Sequence, residues 1–102
     1  MNSVIRNLTL VFVLAPAMWA ADAAAGKAVY TAKCKTCHGA DGNPPAFAKA
    51  LGAKPLSDPS IMGKSEADLT TSILKGVGKM KPVAIPEADA QNAAAYVKAG
   101  VK

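Results

Sequence analysis

Apolar residues come in separate groups along the chain, and only the first group is an almost entirely apolar run, from Leu8 to Trp19. Beyond it, spacing replaces continuity. Gly26 to Cys34 has the pattern of a helix, with Val29 and Tyr30 facing inward. Gly26 and Tyr30 are four apart and share a face, and a glycine there lets a second helix come close. This helix runs on to Gly39, a residue suited to follow a helix end. Phe47 and Leu51, again four apart, predict one or two helical turns closed by Gly52. Leu69, Ile73 and Val77 recur every four residues, and Leu74 widens their stripe. Ser65 and Asp68 resemble a capping box at its start, while Lys75 and Gly76 mark its end. Pro86 opens a last helix with Glu87 and Asp89 in its first turn, and the helix continues through Ala93, Tyr96 and Val97 to Gly100. Clusters of Gly, Pro, Asn and Asp separate these stretches, as in Asp41-Gly42-Asn43-Pro44-Pro45 and Gly78-Lys79-Met80-Lys81-Pro82. Lys54 to Pro59, with two prolines, reads as loop. No stretch alternates as a strand would, and nothing repeats. The expected fold is all-α, three or four short helices joined by loops.

The first apolar run has the marks of a cleavable secretory signal. Arg6 precedes it, Pro16 interrupts it, and it is shorter than the ~20 residues that span a bilayer. Ala21-Asp22-Ala23 fits the small-x-small cleavage pattern, so residues 1–23 are expected to be removed and 24–102 to form the domain. Cuts after Ala20 or Ala25 also fit, and an uncleaved anchor is the competing reading. No cysteine sits near the cut, so a lipid anchor has no support. Export places the domain in the periplasm, an oxidising compartment, with no membrane span left after cleavage. The remaining 79 residues contain three aromatics, Tyr30, Phe47 and Tyr96. That is little for a core of its own, and a prosthetic group would fill the centre.

Cys34-Lys35-Thr36-Cys37-His38 contains both cysteines and the only histidine. The C-x-x-C-H order is the attachment signature of a c-type haem. Two thiols add to the two vinyl groups of the porphyrin, and the next imidazole reaches the iron. On a helix, the three side chains would share one face. Other readings explain less. A Cys34–Cys37 disulfide closes a tiny loop and leaves His38 without a role. A thioredoxin-like pair needs strands around it. Structural zinc needs a fourth ligand that the chain does not offer nearby. One covalently attached haem c is therefore the expected cofactor, and the box around it the expected role of the other residues.

With no second histidine, a second axial ligand must be a methionine or be absent. Met62 and Met80 are the methionines outside the signal. Met80 is favoured, because it sits in a polar loop with no hydrophobic period, where a core methionine would be out of place. His/Met ligation raises the reduction potential and closes the iron to small ligands, which points to electron transfer. The domain carries 11 lysines against 6 acids and no arginine. That balance suits acidic partners or anionic surfaces and argues against nucleic acid. Lys33, Lys35, Lys79 and Lys81 flank the two segments expected to meet the haem, where they would steer acidic redox partners.

At this point the chain resembles the class I cytochromes c, the small soluble monohaem family. Cys34, Cys37 and His38 match the attachment motif. Gly76-x-Gly78-Lys79-Met80-Lys81-Pro82 is similar to the loop of the axial methionine, although Lys81 separates the methionine from its proline. Gly26, Tyr30 and Tyr96 match the glycine and aromatics of the first and last helices. The resemblance implies a cytochrome c-like orthogonal bundle wrapped around one haem, with those two helices crossing closely. It also implies a proline carbonyl that holds the histidine Nδ1–H. Pro44, Pro45 and Pro55 are the possibilities, and Pro45 matches best. Tyr30 joins Cys34, Cys37, His38, Met80 and Pro45 as an expected haem-contacting residue. The implied role is a monomeric one-electron carrier between redox proteins, without enzymatic activity. A haem enzyme or gas-binding domain with an open iron, or a fixed subunit of a larger oxidoreductase, are the alternatives.

Overall fold

The computed structural model describes residues 21–102, and the expected secretory run Leu8–Trp19 lies outside the described residues. The fold is all-α. Its elements are α1 (Ala23–Lys33), α2 (Lys35–His38), α3 (Ala46–Ala50), α4 (Pro59–Met62), α5 (Glu66–Lys75) and α6 (Glu87–Ala99). Three of these, α1, α5 and α6, are longer than two turns and match the helices expected from spacing. The count exceeds three or four for local reasons. The first helix is interrupted at Cys34, whose φ of −116° departs from the ideal helical value while staying in the right-handed region, so the haem motif forms its own turn. Asp58 and Pro59 seed an additional turn, with the Asp58 carboxylate accepting from Ser60 N at 2.9 Å.

Several caps follow the expected chemistry. Ser65 Oγ accepts from Asp68 N at 3.0 Å to open α5. Pro86 is the residue before α6, one position earlier than expected, and its carbonyl accepts from Ala90 N. α1 starts earlier than Gly26: Asp22 caps it by accepting from Ala24 N and Ala25 N at 2.9 and 3.2 Å. The backbone N–H of Asp22 also donates to Asn92 Oδ1 at 2.8 Å, which ties the start of α1 to α6.

α1 and α6 cross where Gly26 is buried. A Cβ on Gly26 would lie 1.9 Å from the Asn92 carbonyl oxygen, so the crossing brings backbone against backbone. Ala90, Ala93 and Ala94 of α6 are wholly buried beside it. Tyr30 and Tyr96 pack edge to face, with ring centroids 5.4 Å apart. Tyr96 Oη donates to the Lys102 carbonyl at 2.8 Å and accepts from Lys102 N at 2.9 Å, folding the last residues back onto the helix. α5 packs on the other side of α6 through Leu69 and Ile73, both buried in the same core. The Phe47–Leu51 pair faces outward instead, at 52% and 54% exposure, while Ala48 is the residue that α3 buries.

Candidate haem site

The turn of α2 is held by its own backbone. Cys37 N and His38 N both donate to the Cys34 carbonyl, at 3.2 and 3.0 Å. Gly39 follows with its N–H on Lys35 O, and the Gly39 carbonyl accepts from Tyr30 Oη at 2.6 Å. Tyr30 therefore joins the helix crossing to the end of the motif turn. Its hydroxyl is buried, and burial pushes its pKa well above the ordinary phenol value. Cys34 and Cys37 are both free thiols, the first half-buried and the second exposed. Burial, followed by the neighbouring Cys37, raises the Cys34 pKa and keeps this thiol protonated. The His38 ring is also half-buried, and burial lowers its pKa, which favours the neutral imidazole that ligates metals. Its Nδ1 is buried with no protein hydrogen-bond partner, so the ring is not committed to a structural bond.

Met80 reaches the same region from the opposite side of the sequence. Gly76 follows the end of α5, and Val77 and Met80 then exchange backbone hydrogen bonds at 3.0 and 2.9 Å in a tight turn. Gly76 has φ +81°, and a Cβ there would lie 2.6 Å from the Met80 carbonyl oxygen. Only glycine permits both the turn and the approach. Val83 N donates to Ile73 O at 2.9 Å and anchors the exit of this loop on α5.

His38, Met80, Cys34 and Tyr30 line one apolar cavity of about 150 Å³. Leu56, Ile61, Leu69, Ile73, Ala93 and Val97 supply aliphatic wall. Val77 also lines it, although its side chain is 56% exposed overall. Lys64 and Ser72 complete the lining. Met62 does not line this cavity, and its carbonyl accepts from Lys98 Nζ at 2.6 Å instead. The Cys34 thiol, the His38 imidazole and the Met80 thioether around an apolar space, with the exposed Cys37 one turn away on α2 outside the lining, fit a covalently attached haem. They fit zinc poorly: among the described residues no three His, Cys, Asp or Glu side chains are placed to hold a metal ion.

Pro45 is placed differently from the expectation. Its carbonyl accepts from Ala48 N and Lys49 N, both at 3.0 Å, and so opens α3 rather than holding His38. The residues that spacing alone did not flag are Leu56, Ile61, Lys64 and Ser72. Ser72 was within reach of periodicity, because it is three residues from Leu69 and shares the Leu69–Ile73 face. Leu56 and Ile61 sit among prolines and a capping aspartate, where no period exists.

Comparison with known proteins bears on the fold and the family. The family model described as "Cytochrome C oxidase, cbb3-type, subunit III" matches residues 21–97. Among solved structures, the KustC0563 c-type cytochrome is 28% identical, with a TM-score of 0.67 over 76% of this chain and 98% of that one. A tyrosine-to-phenylalanine mutant of Kustc0563 is 27% identical, with a TM-score of 0.64 over 72% of this chain and 94% of that one. No curated protein matches the chain.

Proposed function

The chain belongs to the cytochrome c family described by the cbb3-type oxidase subunit III model, and on that premise we propose that it is a periplasmic one-electron carrier with a single His/Met-ligated haem c. The placement of His38 and Met80 on one apolar cavity carries the reading. When bound, the haem supplies reversible one-electron chemistry at its iron. Cys34 and Cys37 would hold it by thioether bonds. His38 offers a neutral imidazole from the motif turn. Met80 offers its thioether from the loop that Gly76 and Val83 fix. Leu56, Leu69 and Ile73 exclude water, which limits the solvent rearrangement that accompanies a change of charge.

Lys33, Lys35, Lys79 and Lys81 are all exposed, as steering of acidic redox partners requires. Electron transfer to such a partner should slow as salt rises, and a rate independent of salt rejects the steering role. Among the described residues no helix is long and apolar enough to cross a membrane. The N-terminal segment serves as the export signal in this reading. The Asp22 cap and its bond to Asn92 favour the earlier cut, after Ala20, which keeps both. Absorption spectroscopy with mass spectrometry of the purified protein tests the whole reading. Expected are a mass increased by one haem, a mature terminus near Ala21, and a ferric band at the red end of the visible spectrum from methionine ligation. A protein without covalent haem rejects the proposal, and tight CO binding by the ferrous form points to the open-iron enzyme or gas-binding alternative. The description of the matching family favours one second reading, a fixed subunit of a larger oxidase, and gel filtration of the native extract separates it from a free monomer.

A further inference from the structure

The cavity that carries His38 and Met80 has one cationic side chain in its lining, Lys64. Its other polar residues have assigned partners or roles, apart from Ser72. Tyr30 Oη is committed to the Gly39 carbonyl. His38, Met80 and Cys34 are the expected ligands and tether. No aspartate or glutamate lines the cavity, so Lys64 meets no acidic counterpart there. The neighbouring Lys98 is occupied elsewhere, its Nζ donating to the Met62 carbonyl. Among the described residues the Lys64 ammonium has no hydrogen-bond partner.

The backbone under Lys64 is fixed from several directions. Gly63 N donates to Pro59 O at 2.9 Å, and Lys64 N donates to Ile61 O at 3.0 Å. Lys98 holds the end of α4 to α6 through Met62 O. Ser65, the next residue, caps α5. Ile61 and Leu69 on either side of Lys64 in sequence line the same cavity. Lys64 is itself exposed, so it stands at the rim of the cavity, where its aliphatic stem covers apolar wall and its charge stays near water.

A haem is apolar over its faces but carries two propionate carboxylates at its edge. Thioethers at Cys34 and Cys37 would hold the vinyl side of the haem, which leaves the propionates to be met by water or by a polar group at the rim of the cavity. We propose that the Lys64 ammonium is the counter-charge for a haem propionate. The inference rests on the haem reading above and adds to it the residue that receives the carboxylate. An ammonium paired with that carboxylate offsets negative charge near the iron and so favours the reduced form. Loss of the cation leaves the carboxylate unpaired and favours the oxidised form.

The test compares Lys64→Gln with Lys49→Gln, a lysine outside the cavity, in the purified haem-bearing protein. At one fixed ambient potential, Lys64→Gln should lower the ferrous-to-ferric ratio by about three- to ten-fold, tenfold being 59 mV for one electron. Lys49→Gln should change the ratio less than about twofold, as expected for a distant screened charge. Lys64→Arg should restore the wild-type ratio. Reductive methylation of the wild-type protein gives a readout that needs no variant: Lys64 should react several-fold more slowly than Lys49. A Lys64→Gln ratio equal to that of Lys49→Gln, or labelling of Lys64 as fast as Lys49, overturns the proposal. Either result in a protein whose mass includes the haem leaves the carrier reading standing. A mass without haem removes that reading instead.

Discussion

Where α1 crosses α6, the contact is made by residues with little or no side chain. Gly26 lies against the Asn92 backbone, and Ala90, Ala93 and Ala94 bury completely. Across the core, the wall made by α5, α4 and the Met80 loop uses long side chains, Leu69, Ile73, Ile61 and Met80, arranged around an apolar cavity. The first region is closed by protein alone. In the second, much of the packing surface faces the cavity, and Val77 is more than half exposed. Close-packed interiors resist changes of even one methylene. The two regions should therefore fail differently. Damage to the crossing should appear as lost stability, and damage to the cavity wall as altered spectra and potential.

The crossing offers the largest expected effect. Gly26→Ala places a methyl 1.9 Å from the Asn92 carbonyl oxygen and 3.0 Å from Tyr96 Cβ. Backbone cannot rotate aside as a side chain does, so the helices must part. The expected loss is about 3 kcal/mol, at the top of the range for overpacking. For a domain of this size that lowers Tm by roughly 12–24 °C, measured by thermal unfolding followed by circular dichroism. A Tm within a few degrees of wild type would mean that the crossing is not the closed half of the molecule.

Met80→Ala tests the other half. The side chain is a half-buried member of the cavity wall and has no place in the crossing, so helical circular dichroism should persist. The ferric band assigned to methionine ligation should vanish, the ferrous form should bind CO, and the potential should fall. Retention of the band would move the ligand elsewhere, and Met62→Ala would then be decisive.

The same contrast explains what spacing could reveal. Periodicity reports the inward face of a helix, which is why α5 with Leu69 and Ile73, its Ser65 cap, and the Gly26–Tyr30 face were legible. The C-x-x-C-H order and the placement of Met80 in a polar loop made most of the site legible as well. Periodicity does not report what a face meets. Phe47 and Leu51 share a helical face yet lie exposed, because the short α3 buries only Ala48. The Cys34 break is a local backbone change that leaves no trace in spacing. The Pro45 carbonyl was expected on His38, but as the residue preceding α3 it is taken by two amide N–H groups. Leu56, Ile61 and Lys64 reach the cavity from segments whose course is set by prolines and caps rather than by hydrophobic period.

Tyr30 lies in both regions and sharpens the boundary between them. Its ring packs on Tyr96, it lines the cavity, and its hydroxyl holds the Gly39 carbonyl. Tyr30→Phe keeps the ring and removes one short buried hydrogen bond, leaving the Gly39 carbonyl with only the longer bond from Gly42 N at 3.3 Å. The expected loss is about 1–2 kcal/mol. By the same scaling Tm falls by roughly 4–16 °C, between the other classes of variant. If the ferric spectrum also changes, the motif turn depends on this bond for its position. An unchanged spectrum assigns Tyr30 to the crossing alone.

The smallest expected effect belongs to Asp58, which starts α4 on the cavity side. Its carboxylate accepts from Ser60 Oγ at 2.7 Å and Ser60 N at 2.9 Å, and these bonds, with the Lys54 charge, hold its pKa below the usual carboxylate value. A carboxyl group whose pKa is lower folded than unfolded binds fewer protons in the folded state. Its contribution to stability is full above the unfolded value, near 3.9, and is lost as pH falls through the folded value. Asp41, held low by Asn43, acts in the same direction. Asp58→Asn keeps an oxygen that can accept from Ser60 and removes the charge. The variant should therefore have a slightly lower Tm than wild type at pH 6, and the difference should shrink as pH drops below about 4. A Tm difference that stays constant from pH 6 to pH 2 would assign the effect to hydrogen-bond geometry and not to ionisation. Because α4 leads directly into Lys64, a shift in potential accompanying this small loss of stability would show that the cap sets the position of the cavity rim. No shift would show that the Lys98–Met62 bond holds the rim without it.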